Sequence, residues 1–93
     1  MRVTFNKKVL AETNAAEILE GHYYFPRDSV IMAYLKPNGK TVREGNKGEI
    51  EFFDIVVDHD TISNGAWSII SAESRASNLR GYIAFSDEVT LET

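Results

Sequence analysis

The chain contains no cysteine, and this absence removes several kinds of chemistry at once. Disulfide bridges, thiolate-bound zinc, iron–sulfur clusters and a cysteine nucleophile all require a thiol. The sequence has only two histidines, His22 and His59, and nothing at metal-ligand spacing accompanies His22. We therefore expect no metal and no cofactor, and we expect apolar packing to hold the fold without covalent links. A cysteine-free chain also suits a reducing compartment, which predicts a cytoplasmic location.

Long apolar runs and an excess of positive charge are missing as well. No apolar segment approaches the roughly 20 residues of a membrane-spanning helix. The first eight residues contain no apolar stretch of signal-peptide length. The net charge is −4, and Lys7-Lys8 is the only adjacent basic pair, whereas proteins that bind nucleic acids usually carry a basic stripe. We expect neither nucleic acid nor membrane as a partner, and we expect residues 1–93 to form one domain.

The residues that are present predict a mostly β fold. Hydrophobic residues make up 43% and charged residues 26% of the chain, as in ordinary globular domains. Short segments of alternating apolar and polar residues are separated by turn signals, which favours strands over helices. Ala72, Ala76 and Leu79 share helical spacing, and Ser71 can cap the helix that they predict. The expected architecture is a folded sheet or small open barrel of about eight short strands with one short helix over residues 72–79.

Local signals place several turns and one irregularity. Asn6-Lys7 predicts a tight hairpin, and Pro26 can open a single helical turn over residues 27–29. Residues 30–35 read as a strand that ends at Pro37-Asn38-Gly39, a strong turn signal. The alternation changes phase at Phe52-Phe53, which predicts either a β-bulge or a strand buried on both faces.

Four segments resemble one known family. Residues 23–30 (YYFPRDSV) are similar to its aromatic and Phe-Pro segment, and residues 41–48 align with its Thr…Lys-Gly stretch. Residues 65–68 (GAWS) resemble its Ala-Trp segment, and residues 81–85 (GYIAF) resemble its Gly-Tyr-Val-Ala-Phe strand. Their order and spacing extend over almost the whole chain. On these motifs the sequence resembles the domain of unknown function 427 family.

The resemblance implies a fold of the β-tent, or Mss4-like, type, which is related to methionine sulfoxide reductase B. The family is sometimes labelled nucleotidyltransferase-like, but the resemblance implies no activity. This chain carries Glu44-Gly45 where the family has Cys-Pro, so any chemistry of that cysteine is lost here. Related β-tents often hold zinc through four cysteines, which this chain lacks.

Five residues are candidates for a ligand site. His22 and Tyr24 begin the aromatic segment, and Trp67 is the only tryptophan, so these side chains are candidates for the wall of an aromatic pocket. Arg27 and Lys47 are candidates for its cationic rim, Arg27 as a bidentate clamp and Lys47 as a charge in a glycine-containing loop. Each also has a structural interpretation: buried core for the aromatic residues, a hydrogen-bonded imidazole for His22, and surface turns for the two cations.

The motif Asp58-His59-Asp60 has the spacing of a magnesium-binding Asp-x-Asp pair. The Gly-Ser phosphate grip that accompanies such pairs in nucleotidyltransferases is absent from the sequence. We interpret residues 58–60 as a solvated hairpin turn.

Three functions remain open from the sequence. The favoured one is a small-ligand-binding or scaffolding domain whose aromatic pocket is rimmed by Arg27 and Lys47, with a small anionic or aromatic molecule as partner. The alternative is an enzyme that acts on a small anionic substrate, with His22, Asp28 or Glu44 carrying a proton, although no catalytic residue is assigned and the balance leans against an enzyme. The third is a homodimer or other interaction module formed by pairing of an exposed edge strand.

Overall fold

The computed structural model describes residues 1–45, 48–71 and 78–93. Within them the mostly β prediction is confirmed, and nine strands form two sheets instead of one folded sheet. The strands are β1 (Arg2–Phe5), β2 (Lys8–Glu12), β3 (Glu17–Leu19), β4 (His22–Phe25), β5 (Leu35–Glu44), β6 (Gly48–Val57), β7 (Asp60–Ser71), β8 (Ile83–Phe85) and β9 (Thr90–Glu92). Two single 3-10 turns cover Arg27–Ser29 and Met32–Tyr34. Most of the predicted helix over residues 72–79, and Lys47, lie outside the described residues.

The sheets are open and antiparallel throughout. The smaller has the order β2-β1-β9, and the larger has the order β3-β4-β8-β7-β6-β5. Neighbouring strands β1 and β2 are joined by Asn6 and Lys7, both with positive φ, as the predicted two-residue hairpin requires. Asp58, also with positive φ, turns the chain between β6 and β7 and confirms that turn.

The main core lies between the two sheets. The small sheet contributes Val3, Leu10 and Ala11, which pack with residues of the large sheet such as Phe25 and Ile55. Phe25 and Phe85 meet edge to face with ring centroids 5.7 Å apart. We call the face of the large sheet that carries these residues the inter-sheet face.

The opposite side of the large sheet is also partly apolar. Tyr24, Trp67, Ile69 and Ala84 lie on it and form a second cluster with Leu79. Because side chains alternate along a strand, each of β4, β7 and β8 supplies residues to both clusters. We call this side the Trp67 face.

Buried glycine makes room for close packing within the large sheet. A Cβ on Gly65 would lie 2.8 Å from Ile55 Cδ1 and 2.9 Å from Ile62 Cγ2, closer than carbon atoms can approach. Gly65 also accepts a 2.8 Å hydrogen bond from the backbone N–H of Ser86. By contrast, a Cβ on Gly45 would meet nothing within 4 Å.

The structure corrects two local predictions. Residues 30–35 do not form a strand, because the backbone N–H of Ile31 bonds Leu10 and the N–H of Tyr34 bonds Ile31, which winds the segment into a 3-10 turn. Pro37-Asn38-Gly39 does not end a strand either: the register of β5 against β6 shifts between Pro37 and Thr41, so these residues bulge within one long strand. At Phe52-Phe53 the second alternative, a strand buried on both faces, is the one observed: the β6–β7 register is regular through both residues, Phe52 lies on the Trp67 face and Phe53 packs in the main core. A register shift follows between Phe53 and Ile55.

A polar network pins this region of β5 to its neighbours. The amide of Asn38 donates to Asp54 Oδ1 and to Asn64 Oδ1, each at 2.8 Å. The backbone N–H of Asn64, a residue with positive φ, donates to the same carboxylate oxygen at 3.0 Å. These hydrogen bonds, first the one from Asn64 and then the one from Asn38, hold the pKa of Asp54 below its ordinary value.

Candidate functional site

Three aromatic rings meet on the Trp67 face. Phe52 on β6 lies directly opposite Trp67 on β7, with ring centroids 6.2 Å apart. The imidazole of His22 contacts Trp67 edge-on, with centroids 4.9 Å apart and an interplanar angle of 76°. Together with Ile50 and Glu44 these rings line a cavity of about 190 Å³, which we call the Trp67 cavity.

Buried Tyr24 holds the indole ring of Trp67 in place. Tyr24 is fully buried, and Trp67 Nε1 donates a 3.1 Å hydrogen bond to its hydroxyl oxygen. Tyr24 and Trp67 are brought together by β8, since Tyr24 pairs with Ala84 and Ala84 pairs with Trp67. Tyr24 therefore fixes the orientation of the indole from within the core.

His22 lies where β4 begins, directly after a sharp turn. Glu20 and Gly21 both have positive φ, so the β3–β4 hairpin closes with a two-residue loop and Leu19 pairs with His22. The imidazole of His22 is about one-third exposed. On one side it contacts Trp67, and on the other its Nε2 lies 3.9 Å from Asp87 Oδ1.

The other ring nitrogen of His22, Nδ1, has no hydrogen-bond partner among the described residues. Its Nδ1 is buried, and no donor or acceptor in the described part of the chain reaches it. Leaving a buried polar atom unpaired costs about 1–3 kcal/mol. It is the only buried side-chain nitrogen or oxygen of the described residues in that condition.

A second cavity adjoins the first across His22. Its volume is about 280 Å³, and we call it the Phe85 cavity. Its apolar wall comes from both sheets and consists of Val3, Tyr23, Phe25, Phe85, Val89 and Leu91. Gly21, His22, Ser86 and Asp87 supply its polar part. The imidazole of His22 thus lines both the Trp67 cavity and the Phe85 cavity.

Arg27 lies away from the aromatic rings. Its Nη2 donates to Ser68 Oγ at 3.1 Å, and its Nε donates to the carbonyl oxygen of Gly81 at 3.0 Å. Ser68 is fully buried and follows Trp67 on β7, so the two side chains point to opposite faces of the sheet. Arg27 therefore joins β7 to the chain before β8, and it does not rim the Trp67 cavity as the sequence suggested.

The predicted site residues are thus divided by the fold. His22 and Trp67 line one cavity, Tyr24 supports it, Arg27 is on the other face, and Lys47 lies outside the described residues. Glu44, which sequence analysis considered as a proton carrier, lines the same cavity, whereas Asp28 is exposed on a 3-10 turn. The sequence predicted that residues 23–30, 44–48 and 65–68 converge on one place. The Tyr24–Trp67 and Arg27–Ser68 bonds join the first and third segments, and Glu44 of the second lines the same cavity as Trp67.

Three contributors were missed. Phe52 lines the Trp67 cavity, Lys40 places its Nζ 5.2 Å from the centre of the Phe52 ring, and Asp87 faces His22. The sequence did not show which of Phe52 and Phe53 faces Trp67, because β6 carries an apolar residue on each face there. The register shift in β5 precedes Lys40, whose Nζ lies over the Phe52 ring. The Ser86-Asp87 pair has only the composition of a turn.

The comparisons with known proteins give a family and no activity. A family model described as a domain of unknown function, DUF427, matches residues 1–93. No curated protein matches the chain. In the described ranges, no group of three or more histidines and carboxylates is placed to hold a metal ion. No helix among the same residues has the length and apolar character needed to cross a membrane.

Proposed function

The chain belongs to the family described as domain of unknown function DUF427, and because that description assigns no activity, we propose a function from the site: a small-ligand-binding β domain. The ligand is a small planar aromatic or heteroaromatic molecule that occupies the Trp67 cavity. The observation that supports this proposal is the convergence of the Phe52, Trp67 and His22 rings around one open volume of about 190 Å³.

The arrangement of the rings favours a flat ligand. Trp67 and Phe52 are inclined at 52° to each other, and both are only partly buried, so each retains exposed ring surface. Aromatic pairs contribute about 0.5–1.5 kcal/mol beyond the burial of their area. The ring of a planar ligand in this cavity gains such contacts with both Phe52 and Trp67.

His22 and Glu44 add polar groups to the same volume. No protein hydrogen bond from the described residues holds His22 Nδ1, and rotation of an imidazole about its χ2 bond is soft. The ring is thus able to present a nitrogen to a bound molecule. Ligand sites commonly combine an apolar lining with a few such convergent polar groups.

The proposal is tested by fluorescence, because Trp67 is the only tryptophan in the chain. Benzoate, nicotinamide and adenosine serve as planar probes, and cyclohexanecarboxylate is the non-planar match for benzoate. We expect saturable changes in Trp67 emission with at least one planar probe and weaker binding of the non-planar match. Absence of a saturable change with every planar probe would remove the proposal.

Variants then locate the binding. Phe52→Leu keeps an apolar side chain and removes the flat ring, so we expect affinity to fall about three- to tenfold. Phe5→Leu, a partly buried phenylalanine on β1, is the matched control and should leave affinity unchanged. His22→Gln is paired in the same way with His59→Gln, since His59 is exposed on the β6–β7 turn. Equal effects of a variant and its control would place the binding elsewhere.

The other two functions stay predictions. Catalysis on a small anionic substrate draws on Glu44 and His22, which line the same cavity. Homodimerisation draws on the outer strands β3 and β5 of the large sheet, of which β3 exposes Ile18. We also propose a cytoplasmic location, supported by the absence of cysteine from the sequence.

A further inference from the structure

The Phe85 cavity differs in chemistry from the Trp67 cavity. Its wall is mostly aliphatic and aromatic surface, and its polar side chains are those of His22, Ser86 and Asp87. Its volume is about 280 Å³, larger than the 190 Å³ of the Trp67 cavity.

The charge at the entrance of this cavity is negative. Asp87, whose side chain is fully exposed, is the only charged lining residue among those described, apart from the titratable His22. Glu88 follows it and is also exposed. The whole chain carries a net charge of −4, so the wider field has the same sign.

The entrance is held in a fixed position. The backbone N–H of Ser86 donates to the carbonyl oxygen of Gly65 at 2.8 Å, which ties the segment before Asp87 to β7. Asp87 Oδ1 is 3.9 Å from His22 Nε2, longer than a hydrogen bond, so this carboxylate retains acceptor capacity. A cation placed there meets a carboxylate on one side and an apolar wall on the other.

We propose that the Phe85 cavity is a second binding site, which takes a small primary amine: its ammonium group pairs with Asp87 and its apolar body lies against Phe85, Val89 and Leu91. This site is separate from the proposed planar-ligand site and has the opposite charge preference from the anionic ligand that the sequence suggested. The two sites share only the His22 ring.

The test is a titration of the ¹⁵N-labelled full chain followed by amide chemical shifts, which detect the weak binding expected of such small ligands. The probes are hexylammonium, 1-hexanol and hexanoate, which share a six-carbon chain and differ in charge. The salt concentration is about 0.15 M, where exposed charges more than about 8 Å apart are screened. We expect hexylammonium to bind most tightly and hexanoate least, with the largest shifts at residues 85–91 and Val3.

Two matched variants separate a site from general attraction to an acidic protein. Asp87→Asn should weaken hexylammonium binding about two- to fivefold, the range for an exposed ion pair, and leave 1-hexanol unchanged. Glu88→Gln removes the same charge one residue away, outside the cavity lining, and should have a smaller effect. Val89→Ala should weaken both ligands because it removes apolar contact common to them.

The outcomes distinguish this site from the planar-ligand site. Binding of amine in the Trp67 cavity would change Trp67 emission and leave the amide shifts of Val89 and Leu91 unmoved, which would overturn the proposal. Equal binding of hexanoate, or equal effects of Asp87→Asn and Glu88→Gln, would also overturn it. Failure of planar probes to bind has no bearing on this result.

Discussion

Replacement of His22 by phenylalanine should make the free protein more stable. Phenylalanine keeps a ring of similar shape against Trp67, so the edge-on contact at 4.9 Å is retained. It removes the buried Nδ1, which has no partner in the described structure. The substitution therefore deletes an unfavourable desolvation without deleting a hydrogen bond on that side.

The magnitude follows from three contributions. Removing the unpaired nitrogen gains about 1–3 kcal/mol. Losing the contact with Asp87 costs little, because the two side chains are 33% and 100% exposed and His22 Nε2 lies 3.9 Å from Asp87 Oδ1. The slightly larger phenyl ring has open volume on both sides, in the two cavities that His22 lines. We expect a net gain of about 1 kcal/mol, which raises Tm by roughly 4–8 °C in a domain of this size.

The assay is urea unfolding followed by far-ultraviolet circular dichroism, with the m-value compared between proteins. Trp67 fluorescence is a second probe, read with its own baselines because the substitution changes the ring beside the indole. His59→Phe is the matched control: it makes the same change at an exposed turn and should alter stability by less than about 0.5 kcal/mol. A loss of stability of 1 kcal/mol or more in His22→Phe would refute the reasoning, since it would mean that the buried nitrogen is satisfied.

Further predictions concern packing, a buried hydrogen bond and pH. Gly65→Ala should destabilise the protein by about 1–3 kcal/mol in urea unfolding, because its new methyl group overlaps two isoleucine side chains; Gly45→Ala, with open space, is the control, and equal effects would contradict the packing argument. Arg27→Ala should cost about 1–2 kcal/mol by leaving a buried serine hydroxyl without its donor, whereas the exposed Lys36→Ala should be nearly neutral; equal midpoints would contradict it. The lowered pKa of Asp54 means that its contribution to stability is present above its unfolded pKa and is lost as pH falls through the lower folded pKa. Asp54→Asn should therefore reduce the loss of stability between about pH 4 and 2 in acid unfolding, and an unchanged pH profile would contradict this assignment.

Local signals in the sequence predicted the features that depend on local forces. Asn6-Lys7 and Asp58 adopt positive φ in turns between antiparallel strands, as turn chemistry requires. The single helical turn after Pro26 forms for a similar reason, since proline needs no N–H partner at the start of a helix. The phase change at Phe52-Phe53 was visible because β6 places an apolar residue on each face of the sheet there, Phe52 beside Trp67 and Phe53 in the main core.

Features that depend on distant partners were not predictable. Residues 30–35 have strand-forming composition, but the hydrogen bond from Ile31 to Leu10 comes from another sheet and ends the extended backbone. Pro37-Asn38-Gly39 has the composition of a turn, yet pairing of β5 with β6 on both sides keeps it within one strand. The same holds for the site: neither the opposition of Phe52 and Trp67 nor the approach of Asp87 to His22 follows from spacing along the chain.

The predicted site residues lie on two different faces of the sheet because side chains alternate along β7. Trp67 and Ser68 are neighbours in sequence, but consecutive side chains of a strand point to opposite faces. Arg27, once bonded to Ser68, is therefore committed to the face away from the indole. His22 follows the same alternation, since it lies two residues before Tyr24 on β4 and contacts Trp67 on the face that Tyr24 also occupies.

The unpaired nitrogen of His22 points to function more strongly than any motif in the sequence. A domain of this size is stable by only about 5–15 kcal/mol, so an unsatisfied atom that costs about 1 kcal/mol or more removes an appreciable share. Phenylalanine at this position would avoid that cost, whereas the two nitrogens of an imidazole can each bond a ligand. Sites where local rules are broken without a structural gain are commonly functional. We expect His22→Phe to raise the free energy of unfolding of the free protein and to lower its affinity for planar ligands at the Trp67 cavity. Both changes together would show that the imidazole lowers stability and binds the ligand. A stabilised variant that binds planar ligands as well as the parent would contradict this explanation of the unpaired nitrogen.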